Sequence, residues 1–261
     1  MNASETTFPN SKVEIQKRVA AGKITWAGPL IVMAARTVLG WIFQALAVVL
    51  FFRGSADPWI EASEWWRVYG TLVDVGCIVL LVWLTRREGI RLFDLGNYRR
   101  EGWLRDVGLG VGLFVLTAPI TVGAIYAILA LLQFSAPSSG IVLPRWATLY
   151  SLIIWWVVWA PVEDMTYTGY AFARLEALTG GKWLLAAFVN IFFMVLQHSF
   201  FPFTGVHWQS IVAMTAGLIP TVVVGAWFYM RWRRLLPFHV SHWLTDLMTV
   251  LTVSLVAGFG G

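Results

Sequence analysis

Charge is what this 261-residue chain has least of: only 13% of its residues are Asp, Glu, Lys or Arg. Soluble domains carry about a quarter. That scarcity, with 58% hydrophobic residues and a mean hydropathy of +0.70, excludes an ordinary water-soluble enzyme, a disordered chain and a collagen-like one. Cysteine is nearly absent as well. The single Cys77 rules out an intramolecular disulfide and a cysteine-based zinc site, and its apolar neighbours make it a small packing residue. Also missing are a Gly-rich phosphate loop, a GxSxG elbow and an HExxH pair. Nor is there a nucleic-acid-binding signature. The polar stretch Met1 to Lys23 has no apolar core, so no cleavable signal peptide is expected and the first span should act as its own insertion signal.

What is present is apolar length. A helix needs about 20 mostly apolar residues to cross the hydrocarbon layer, and on that scale spans fall at 27–52, 65–84, 107–133, 147–170, 183–201, 208–230 and 238–258. The expected fold is therefore all-α: a polytopic integral membrane protein of about seven (7–8) transmembrane helices enclosing an intramembrane polar cavity. A polar cytoplasmic N-terminal tail (1–26) precedes one membrane domain (27–261) whose motif core is 147–250. The sixteen Trp suit membrane interfaces. The net charge of +5 comes from Lys and Arg in alternate connections, notably Arg86, Arg87, Arg91, Arg99, Arg100, Arg231, Arg233 and Arg234. That pattern places the N-terminus in the cytoplasm of a multi-pass protein of the cytoplasmic membrane, with the lipid bilayer as a partner and no nucleic acid. Glu88–Asp106 is long enough for a short amphipathic helix on the inner surface, although a basic topology anchor is the preferred reading.

Charged groups inside spans cost about 2.5–3.5 kcal/mol each and point to function by default. Arg36 and Asp74 suit a structural pair between the first two spans. The others form three groups: Glu163 and Asp164, then His198, then His242 and Asp246. Glu163 lies 17 residues before Gly180 and His198 lies 18 after it. At 1.5 Å rise per residue both sit about 26 Å from the turn of an antiparallel hairpin, so they can meet at one depth. His242 and Asp246 are i and i+4 on one face, as are Glu163 and Tyr167, whereas Asp164 points about 100° away. A Glu beside a neutral His can activate water, and a second His backed by an acid can donate to an oxyanion. Two His and two carboxylates also suit zinc or iron, but no compact ligand spacing is present. His207 and His239 read as interfacial residues.

In this order the three groups resemble the CPBP (Abi) family of intramembrane proteases, which includes the type II CAAX prenyl endopeptidases. The family's EExxxR motif reads Glu163-Asp164-Met165-Thr166-Tyr167-Thr168, with Thr168 where the Arg would stand. Its FxxxH motif reads Met194 to His198, keeping the His, and its HxxxN/D motif is matched in full by His242 to Asp246. The basic connection 86–96 is also similar, and the resemblance covers roughly 80–250. It implies a glutamate-dependent endopeptidase that needs no metal or other cofactor and cuts a membrane-embedded or lipidated peptide or protein substrate. In that scheme Glu163 and His198 activate the water, His242 and Asp246 stabilise the oxyanion, and Asp164, Tyr167 and Thr168 support them. Two other classes stay open: a catalytically silent membrane partner of the bacteriocin-immunity kind, and a proton-coupled transporter, although no internal repeat is evident.

Overall fold

The computed structural model describes residues 8–135 and 137–256, with the backbone alone over 252–256. It is all-helical, without a strand among the described residues. Helix α1 (Lys12–Ala20) is followed by α2 (Ala27–Phe52, its last turn a π turn), α3 (Pro58–Glu64), α4 (Trp66–Glu88) and α5 (Trp103–Leu131). Next come a long helical stretch, α6 (145–178), and then α7 (Trp183–Phe200), α8 (Trp208–Trp232) and α9 (Leu236–Val256). Helices thus stand at all seven expected positions, the last two residues of 238–258 lying outside the described residues. Five of them, α2, α4, α5, α7 and α8, are long and apolar enough to cross a membrane. The polar groups that α6 and α9 carry lower their apolarity, and they are the helices that hold the motif residues.

The outer surface fits that composition. Leu50, Phe51 and Val79 are 67%, 78% and 64% exposed, an apolar surface that a soluble monomer avoids. Charged groups collect inside the bundle or at its ends. Helix α6 is the central element, packed against α2, α4, α7, α8 and α9, while α5 packs on α8 and α9.

Two local features shape α6. Pro161 has no N–H, which frees the carbonyl of Val157 four residues earlier. The indole of Trp243 donates to that carbonyl at 3.3 Å, tying α9 to α6 one residue from His242. The segment Met165–Phe172 then opens into π turns, which are frequent at functional sites. Gly169 sits in this segment because a Cβ there would lie 2.7 Å from Leu235 Cδ1.

The connection after α4 is not an amphipathic helix. Gly89, Asn97 and Gly102 all take left-handed backbone, which ends α4 and leaves one 3-10 turn, Leu92–Gly96, with Leu95 buried in the core. From Phe8 onward the N-terminal segment is docked on the bundle. Asn10 is fully buried, its amide donating to the carbonyls of Leu95 (3.1 Å) and Gly169 (2.9 Å). Arg174 donates to Asn10 Oδ1 at 2.6 Å and forks onto Glu88 at 3.2 and 2.6 Å.

Candidate active site

Glu163 and Asp164 are neighbours in sequence that serve opposite sides of α6. Glu163 faces α2 and α7. Its Oε2 accepts from Gln197 Nε2 at 2.8 Å and lies 3.4 Å from Arg36 Nη2, while its Oε1 lies 3.7 Å from His198 Nε2. The hairpin arithmetic therefore describes a real approach between carboxylate and imidazole. His198 Nδ1 is 2.8 Å from the carbonyl of Met194. A carbonyl only accepts, so Nδ1 carries a proton and the ring turns its Nε2 edge toward Glu163. Gln197 joins the set, its Oε1 accepting from Arg36 Nε at 3.0 Å and from the Tyr167 hydroxyl at 2.8 Å. Glu163 and Tyr167 thus share a face and share one partner.

Asp164 points away from that face, onto α9. Its Oδ1 lies 3.1 Å from His242 Nδ1 and its Oδ2 lies 2.8 Å from His239 Nδ1. His242 Nε2 in turn lies 3.7 Å from Asp246 Oδ1, so each of its ring nitrogens faces a carboxylate. His239 is buried, contrary to its expected interfacial place. Its Nε2 lies 2.7 Å from the hydroxyl of Tyr98, which sits in the connection between α4 and α5. Burial, reinforced by the nearby Asp164, pushes the Tyr98 phenol up. Its hydroxyl and His239 Nε2 share one hydrogen bond, and His239 donates onward from Nδ1 to Asp164. His207 is remote from these groups, half-buried against Phe134 with its Nε2 3.3 Å from the Thr204 carbonyl.

The two faces meet at a cavity of about 550 Å³. Glu163, Asp164, Tyr167, Thr168, His198, His242 and Asp246 all line it, so the seven residues given catalytic or supporting roles from the sequence border one space. The remaining wall is largely apolar and includes Trp159, Phe172, Met194, Phe201 and Leu218. Thr168 supplies no positive charge. Arg36 on α2 brings a guanidinium to Glu163 instead, lying between Asp74 (3.1 Å) and Glu163 and stacked 4.3 Å from the centre of the Trp159 ring. Among the described residues no group of three or more His, Cys, Asp or Glu side chains is arranged to hold a metal ion.

Four participants were not assigned to the site from sequence: Arg36, Gln197, His239 and Tyr98. His239 carried a usable signal, because His239, His242 and Asp246 fall at i, i+3 and i+7 on one helix face. Gln197 is the polar neighbour of His198 in an apolar run. Arg36 stood out as a charge within an apolar span but was paired only with Asp74, and nothing local marks Tyr98, whose partner comes from a distant helix. No family model matches the chain, and comparison with curated proteins and with solved structures finds no match.

Proposed function

We propose that the chain is an intramembrane endopeptidase of the CPBP kind, hydrolysing a peptide bond in a membrane-embedded or lipidated substrate with water activated by Glu163 and His198. The observation that carries this reading is the Glu163 carboxylate facing Nε2 of His198 at 3.7 Å on a cavity wall. A water donating to both groups would lose a proton as it attacks the substrate carbonyl. Asp164 grips Nδ1 of His242, which leaves Nε2–H of the imidazolium to meet the developing oxyanion. The carboxylates of Asp164 and Asp246 on either side balance that charged ring. The guanidinium of Arg36 at Glu163 supports the enzyme reading over a catalytically silent partner, since the charge missing at Thr168 is supplied from another helix.

The membrane setting follows from the five apolar helices. Arg86, Arg87, Arg91, Arg231, Arg233 and Arg234 border the same end of the bundle as α1, where Arg18 and Lys12 approach Glu88 and Glu176. This favours a cytoplasmic N-terminus and a cytoplasmic-membrane location. Full-length protein reconstituted in proteoliposomes with lipidated and membrane-anchored peptides provides the test. Mass spectrometry should find a new pair of peptide ends. Ion-coupled uptake without cleavage would instead identify a transporter.

A further inference from the structure

One charge on the cavity wall is not absorbed by the catalytic arrangement. Arg67, the second residue of α4, lines the same cavity as Glu163 and Asp246. Every other charged side chain lining it has an ionic partner: Glu163 has Arg36, and Asp164 and Asp246 have His242. Arg67 makes no ion pair within 4.0 Å and no hydrogen bond among the described residues, its Nε is buried without an acceptor, and the Asp246 carboxylate acts on its charge only from farther off. Its guanidinium carbon lies 5.1 Å from the ring centre of Trp66 and 5.5 Å from that of Trp155. Trp155 also lines the cavity, is 3% exposed, and its indole N–H has no acceptor either. The nearby acid Glu64 is engaged elsewhere, accepting from Ser138 Oγ at 2.8 Å and from the Ser139 N–H at 3.2 Å. One end of the cavity therefore has a cation and two unanswered donors, a combination that buried polar groups rarely keep without a ligand.

We infer that Arg67 receives an anionic group of the substrate, a carboxylate on the peptide, and so fixes which way the peptide lies in the cavity. The inference rests on the endopeptidase reading and adds the substrate's charge and orientation to it. A guanidinium held flat by aromatic rings presents a planar fork, which matches a carboxylate in bidentate fashion. The carboxylates of Glu163 and Asp164 repel a second anion from the rest of the cavity. The anion can settle only at the Arg67 end, which leaves the apolar part of the peptide against Phe172 and Met194.

Binding separates this inference from catalysis. The probes are two palmitoylated pentapeptides, N-methylated at each amide to block cleavage, identical except for a C-terminal carboxylate or carboxamide. Calorimetry with the full-length protein in phosphatidylcholine nanodiscs should show the carboxylate binding at least ~10-fold tighter. Arg67→Gln should erase that preference while leaving carboxamide affinity within ~2-fold, and Arg67→Lys should keep part of it. Equal binding of both peptides by the parent protein overturns the inference, whether or not any peptide is cleaved. So does a carboxylate preference that survives Arg67→Gln. The third contrary result has a lipid source: carboxylate binding that disappears when phosphatidylglycerol is added, with Arg67-dependent retention of that lipid, assigns the site to a headgroup phosphate.

Discussion

Arg36 offers the most demanding test of the buried electrostatics. It is fully buried, with Asp74 at 3.1 Å, Glu163 at 3.4 Å and Gln197 Oε1 at 3.0 Å. Arg36→Met keeps most of the stem volume but leaves two buried carboxylates facing each other's charge. Removing one partner of a buried ion pair costs about 3–5 kcal/mol, and losing the stacking on Trp159 adds about 0.5–2 kcal/mol. A destabilisation of about 3–5 kcal/mol or more is therefore expected, large against a total stability of about 5–15 kcal/mol. Asp74→Asn, which removes one of the two stranded charges, should repair part of the damage. The double variant should be more stable than the sum of the single losses predicts by about 1–3 kcal/mol, the coupling range for residues in one network. Reversible unfolding in mixed micelles, followed by tryptophan fluorescence, measures all three variants against the parent. The reasoning is refuted if Arg36→Met falls within about 1 kcal/mol of the parent, or if the two substitutions are simply additive.

Other expectations follow from the same contacts. Asn10→Ala strips donors from the carbonyls of Leu95 and Gly169 and an acceptor from Arg174. It should cost about 1–3 kcal/mol for the groups left unpaired, and hydrogen exchange should quicken over 165–172. Asp164→Asn replaces an acceptor of two imidazoles with a group that must donate from one of its atoms. The cleavage rate should drop by ~10²-fold or more at similar KM, because Asp164 holds His242 at Nδ1. His207→Ala should change stability by no more than about 0.5 kcal/mol and leave cleavage near the parent rate, since among the described residues its hydrogen bond goes to the Thr204 carbonyl and its ring contact to Phe134.

What the sequence made legible, and what it did not, divides along the range of the interactions. The Glu163–His198 approach follows from equal distances to a turn, and the His242–Asp246 face from helical spacing, both set by rise and period alone. The Arg36–Asp74 pair was readable because two opposite charges in adjacent apolar spans have few other partners. That Arg36 also reaches Glu163 was not, since it depends on how α2 packs on α6. Asp164 was correctly turned away from the Glu163 face, but helical geometry cannot say that α9 lies there with two histidines. For the 88–106 connection the basic and apolar residues left an amphipathic helix open beside the preferred topology anchor, and three left-handed positions exclude that helix. His239 was given the surface role common at the start of a span, and the Tyr98 hydroxyl that accompanies it comes from a loop 141 residues away.

The central claim, that Glu163 and His242 act on one reaction from the two faces of α6, comes down to a cycle of cleavage rates. In full-length protein shown to be folded and inserted, Glu163→Gln should lower the rate by at least ~10²-fold and His242→Ala by ~10²–10³-fold. The double variant should lose far less than the product of the two, as residues that work as a unit do. A well-folded Glu163→Gln protein that cleaves at the parent rate would contradict the account.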